Sequence, residues 1–275
     1  MTEFLQGLLL GAIQGITEWL PISSEGVNTL ILVNFFDKAV DEAIATSVWL
    51  HLGTLLAALV YFREQVVGLL RHVPRYVRER ASTDKPGPNA LITFLLISTL
   101  LTGLIGGPLL YAVLDLDLSE EQIRSGILMA VIGAFLIITG LVQRMARTRQ
   151  AGTKRTPEVK DAVLVGIVQA FAAFPGLSRS GLTVSALLFR AYASDSAIKL
   201  SFLMSIPVIL VAGIGIALLE EVELGLFALS SVVAAFVFGL ITIGVLLRIA
   251  QRVAFWKFCI LLGVVSFVPL IVEQF

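Results

Sequence analysis

Glu18, Ser23, Ser24 and Glu25 cluster around Pro21, and Ser178, Arg179, Ser180 and Thr183 follow Pro175-Gly176 directly. In each run the proline ends a helix and the Ser/Gly residues open another. A helix restarting after each break aims unpaired backbone N–H groups and the positive end of its dipole at the break, which is a ready anion site. Arg179 adds a guanidinium fork suited to phosphate oxygens, and Ser23, Ser24, Ser178 and Ser180 add hydroxyl donors. Glu18 stands one turn before the first break, with Gln14 four residues earlier on the same face. Three roles are open to it: general base, ligand of a divalent cation, or ion-pair partner of Arg179. Ser23 and Ser178 read equally well as N-caps, Glu25 as a first-turn acid favoured by the dipole, and Thr183 as a back-bonder to its own helix. The chemistry in prospect is the binding of a phosphate-bearing ligand.

Other polar residues carry weaker signals. Asp195 reads as the cap of a helix, Lys199 as a side chain reaching the interface, and His51 as a mid-span residue that either shuttles protons or, more commonly for a lone histidine, bonds a neighbouring helix. Cys259 lies in an apolar stretch and reads as a small buried hydrophobe; alone, it excludes an internal disulfide. Two distant histidines and one cysteine exclude a Cys/His metal site.

The elements that must position these residues are helices in a membrane. The 275 residues are 57% hydrophobic and 15% charged, against about a quarter charged for soluble domains. Six stretches, at about 42–63, 89–112, 122–143, 195–219, 225–247 and 253–273, are long enough to span a hydrocarbon core of roughly 30 Å. The regions 3–36 and 161–190 are apolar but broken, each half too short to span, so each reads as a re-entrant hairpin buried in protein. No cleavable signal peptide is expected after Met1-Thr2-Glu3.

Charge orients the spans. Arg63, Arg71, Arg75, Arg78, Arg80 and Lys85 fall in one connection and Arg144, Arg147, Arg149, Lys154, Arg155 and Lys160 in a second. Arg248 and Arg252 fall in a third, and all three are expected to be cytoplasmic. Connections holding Asp115, Asp117, Glu120 and Glu121, and Glu220, Glu221 and Glu223, then fall outside. The two hairpins enter from opposite faces.

Shifting the sequence by 155 positions aligns Gly11 with Gly166, Gln14 with Gln169, Trp19 with Phe174, Ser23 with Ser178 and Gly26 with Gly181. One residue of slippage aligns Ser47 with Ser201. The reading is all-α with an inverted-topology repeat, residues 1–150 and 151–275, each a re-entrant hairpin plus three spans.

At these residues the chain resembles the undecaprenyl-diphosphate phosphatase family. Gln14 to Glu18 with Pro21-Ile22-Ser23-Ser24 matches one family signature, and Pro175 through Thr183 (Pro-Gly-Leu-Ser-Arg-Ser-Gly-Leu-Thr) the other. The resemblance implies hydrolysis of a polyprenyl diphosphate to the monophosphate at an outward-facing site in the plasma membrane, assisted by a divalent cation such as Mg2+ or Ca2+. It implies Glu18, Ser24 and Arg179 as catalytic residues, with Glu18 also able to hold the metal. Gln14, Ser23, Glu25, Ser178, Ser180 and Thr183 are then substrate-binding. The partners expected are the lipid and the membrane and no nucleic acid; a homodimer is compatible with all of this. Bacterial members follow Ser-Ser with Thr-Gly-His, the histidine being regarded as catalytic, whereas this chain reads Glu25-Gly26-Val27. Valine can neither transfer a proton nor attack phosphorus, so either Ser24 activated by Glu18 is the nucleophile, or Glu25 supplies the missing acid/base function, or activity is lost. The Ser-Ser-Glu-Gly form resembles archaeal members, which implies an archaeal polyprenol. A polyprenyl-phosphate flippase without hydrolysis is the alternative, since inverted repeats also suit alternating access.

Overall fold

The computed structural model describes residues 2–78, 88–114, 125–149, 152–219 and 225–272. Among these the chain is all-helical, apart from an isolated bridge between Lys154 and Tyr192. The acidic residues expected outside, together with Arg80 and Lys85, lie beyond the described residues.

Among the described residues five helices are long and apolar enough to cross a membrane: α3 (Val40–Tyr61), α5 (Pro88–Leu114), α6 (Ser125–Arg147), α9 (Ser194–Leu219) and α10 (Leu226–Arg252). The sixth expected span, 253–273, is instead two pieces, α11 (Phe255–Val265) and α12 (Val268–Val272), parted at Ser266-Phe267. Pro269 just past the break has no N–H to return across it. The 63–86 connection is also corrected in part: residues 63–78 form a helix, α4 (Arg63–Arg78), none of it buried. Val66, Leu70, Val73 and Val77 recur at helical spacing along it, the pattern of a helix lying on an interface.

Both broken regions are helix, turn, helix. In the first, α1 (Glu3–Thr17) ends as the Glu18 N–H bonds the Gln14 carbonyl at 3.0 Å. Pro21 follows, and Ser23 turns left-handed (φ 61) before α2 (Ser24–Phe36). In the second, α7 (Val159–Ala170) tightens into a 3-10 turn (Phe171–Ala173), Gly176 takes φ +99, and α8 (Arg179–Phe189) begins. Glycine suits Gly176, because an L side chain there would be strained and its Cβ would lie 2.6 Å from the Ile132 carbonyl oxygen.

Small residues let these half-helices sit deep. Gly7, Gly11 and Gly15 repeat every fourth residue on α1 and face Ser231, Ala235 and Gly239 of α10, close enough that a Cβ on Gly11 would lie 2.2 Å from the Ser231 carbonyl. Gly166 of α7 lies likewise on Ser98 of α5. α1 and α7 therefore each pack on a membrane-length helix distant in sequence, while outward Leu226, Leu229 and Ile241 of α10 stay exposed as a lipid-facing surface requires.

Gly11→Leu drives a side chain into the α10 backbone and is expected to lower the Tm in detergent by about 3–10 °C. Gly68→Leu on exposed α4, where nothing lies within 4 Å of the added Cβ, leaves it unchanged. Thermal unfolding of the two variants checks this.

Candidate active site

The two turns meet. A Cβ on Gly26 would lie 3.0 Å from the Cα of Gly176, so the turns touch backbone to backbone. Their caps match: the Ser23 hydroxyl oxygen accepts from the Gly26 N–H at 3.2 Å, and that of Ser178 from the Gly181 N–H at 3.1 Å. Ser24 and Arg179 then hold the same place, the first residue of the helix after each break.

Glu18 is the centre. Only 4% exposed, it accepts from Ser24 Oγ at 2.6 Å, Gln14 Nε2 at 3.1 Å and His51 Nε2 at 3.2 Å, all on Oε2. Its Oε1 accepts from Arg179 Nη2. Four donors compensate a carboxylate that burial alone would make very costly. Gln14 is itself fixed by Asn28 Nδ2 on its Oε1 at 2.7 Å. The turn is braced from behind, where Gln143 Nε2 donates to the Pro21 carbonyl at 2.6 Å.

Glu18, Ser23, Ser24, Glu25, Ser178, Arg179, Ser180 and His51 all line one small cavity of about 30 Å³. Glu25, His51 and Arg179 also border a larger apolar cavity of about 280 Å³ between α5 and α9. Two residues expected to touch substrate line neither. Gln14 acts through Glu18, and Thr183 back-bonds to the Arg179 carbonyl at 2.8 Å and meets Ser201 Oγ at 2.6 Å. Asp195 is exposed and paired with Arg155 at 2.6 Å, and Lys199 borders a separate cavity.

Sequence reading undervalued His51. Its Nδ1 lies 2.7 Å from the Ser47 carbonyl, which only accepts, so Nδ1 carries an N–H; donation from Nε2 to Glu18 needs a second N–H and makes the ring an imidazolium. The available signal was its place one turn after Ser47, which the internal repeat aligns with Ser201.

Four residues that line the larger cavity each have a buried polar atom without a partner among the described residues: Arg179 Nη1, Glu25 Oε1, Thr99 Oγ1 and Gln169 Oε1. Buried polar groups are nearly always satisfied. A set of orphans on one cavity wall is what a polar ligand would complete. The donors suit an anion, and the two free oxygens suit a cation accompanying it. Glu18, with both oxygens engaged, is the poorer cation ligand. Among the described residues no three His, Cys, Asp or Glu side chains form a metal cage.

Residues 7–268 match the family model described as bacitracin resistance protein BacA. A protein of Methanococcoides burtonii named undecaprenyl-diphosphatase is 50% identical over 97% of this chain and 98% of its own. One of the same name from Haloarcula marismortui is 38% identical over 96% of each chain, and one from Dinoroseobacter shibae 35% over 92% of each. With five apolar helices of membrane-crossing length, this is a multi-pass membrane protein, and it belongs to the bacitracin resistance protein BacA family.

Proposed function

We propose that this chain hydrolyses a polyprenyl diphosphate of the undecaprenyl type, yielding the monophosphate and inorganic phosphate. One observation carries the reading. Ser24 Oγ donates to the same buried carboxylate that Arg179 holds, while the guanidinium keeps Nη1 free. A nucleophile, its base and an unspent anion donor thus share one cavity at the N-termini of two helices. The names of the relatives speak for hydrolysis rather than lipid translocation.

Glu18 Oε2 takes the Ser24 proton as Oγ attacks the terminal phosphorus. The anhydride P–O bond breaks and polyprenyl monophosphate leaves, taking that proton from Glu18; water, deprotonated by the freed carboxylate, then attacks the phosphoserine, the P–Oγ bond breaks, and Glu18 returns the proton to Ser24 Oγ as inorganic phosphate leaves. Arg179 and the free N–H groups of the first turns of α2 and α8 stabilise charge on the phosphoryl oxygens, where most of the catalytic benefit in phosphoryl transfer arises. His51, on the same Glu18 oxygen, shares the proton held there. It supplies the imidazole that the family signature puts at the position of Val27.

A divalent cation bound here would neutralise the diphosphate and polarise its oxygens. Glu25 and Gln169 present free oxygens for it. One carboxylate plus substrate phosphates is the usual holding of Mg2+, which makes it the better fit over the oxygen-rich cages of Ca2+.

The architecture that serves this chemistry is six membrane crossings, the last made by α11 and α12 together, with two re-entrant hairpins in inverted repeats at residues 1–150 and 151–275. The matched caps, and the crossed packing of α1 on α10 and α7 on α5, support it. In the plasma membrane with basic ends inside, the site opens outward.

Phosphate release from undecaprenyl diphosphate in detergent tests the reading. Ser24→Ala is expected to lower kcat about 1,000-fold with KM little changed, and Arg179→Lys, which loses the fork, about 100-fold. Release by both variants within twofold of wild type contradicts it. Chelation abolishes release and Mg2+ restores it; Glu25→Gln raises the Mg2+ needed for half-maximal rate about tenfold without lowering the Tm. An unchanged Mg2+ requirement removes Glu25 from the cation site.

A further inference from the structure

The cavity of about 280 Å³ beside the site has two unlike ends. At one stand Arg179, His51 and Glu25, with orphaned polar atoms on Arg179 and Glu25. At the other, Tyr111 of α5 and Val211 of α9 are 54% and 55% exposed, on the surface that faces lipid. Apart from Thr99, Thr102 and Gln169, the rest of the lining is apolar or glycine. In their first halves α5 and α9 share one core, Leu91 and Leu95 packing against the buried cluster that includes Ile198, Phe202 and Leu203. Their second halves, from Thr99 and Val208 onward, line the cavity. Pro207 lies where α9 begins to line it and Pro108 lies alongside on α5, each removing a helical hydrogen bond at which a helix bends readily.

Glycine sets the bore. Gly103 and Gly107 of α5 and Gly215 of α9 all border this cavity, and a Cβ on any of them would meet nothing within 4 Å. These differ from the glycines of α1 and α7, whose missing Cβ lets a neighbouring helix approach. Here the missing side chains leave an open track. Glycine costs about 1 kcal/mol in a helix interior relative to alanine, and no contact with another helix accounts for it at these three positions.

Resting on the phosphatase reading, we infer that Gly103, Gly107 and Gly215 shape a track for the substrate's isoprenoid tail, leading from the phosphate site to the lipid between α5 and α9. An anionic head at the charged end and a long apolar chain leaving by the open end satisfy both ends of the cavity at once. The length of chain accepted is then set on α5 and α9, away from the reacting atoms.

The test fills the track without touching the site. Gly103→Leu, Gly107→Leu and Gly215→Leu are compared with Gly68→Leu on α4. Each track variant is expected to keep the wild-type Tm and kcat while raising KM for undecaprenyl diphosphate about tenfold; Gly68→Leu changes neither. Unchanged KM in all three folded variants overturns the track. A second readout needs no catalysis and no variant. Wild-type protein is photolabelled with an undecaprenyl monophosphate carrying a benzophenone near the head of its tail. Label on α5 and α9 supports the track, and label confined to other helices overturns it. Labelling of α5 and α9 by a protein that releases no phosphate would sink the phosphatase reading and leave the track standing.

Discussion

The ion pair between Glu18 and Arg179 joins residues 161 positions apart, and the rest of the structure is arranged around it. Neither charge is tolerable alone at this depth, with the carboxylate 4% and the guanidinium side chain 13% exposed. Each sits at a helix end, so the pair demands that two helices break near one another. The breaks supply their own compensation, because the opened turns present free N–H groups, cap hydroxyls and glycine backbones that can touch at Gly26 and Gly176. A pair that only bridged the turns would use every donor it had. This one leaves Arg179 Nη1 unspent, the observation on which the proposed binding site rests.

Broken helices survive in a membrane only when their freed backbone groups are buried in protein. The glycine stripe of α1 against α10, and Gly166 against α5, provide that burial by bringing backbones close enough to exclude lipid. The same residue type has the opposite use on the outer halves of α5 and α9, where it leaves space. Close packing on one side of the site and openness on the other are the arrangement that the proposed charged head and apolar chain require.

Much of this was legible in the sequence. The Pro/Ser/Gly runs mark the breaks, because proline lacks a donor and serine caps well, and five long apolar runs mark the membrane-length helices. Residues 63–78 were read as a connection because their arginines drew attention from the apolar stripe at Val66, Leu70, Val73 and Val77, which makes them a surface helix. The split of the last span at Ser266 was hidden inside a continuously apolar stretch. The role of His51 could not be read locally, since its partner Glu18 lies on another helix and only tertiary packing brings them to 3.2 Å. Thr183 and Gln14 stand one turn from Arg179 and Glu18, but which way a side chain points within a turn of helix is decided by neighbours. Thr183 turns to Ser201 and Gln14 to Glu18 and Asn28.

The most direct test of the account is a double-mutant cycle on thermal stability in detergent, using Glu18→Gln, Arg179→Gln and the double variant. If the pair is what holds the two turns together, each single variant strands a buried charge or its donors. The double variant then loses much less than the sum of the two, a coupling of about 2 kcal/mol or more. Additive losses would mean that the turns meet without the pair, and would contradict the account at its centre.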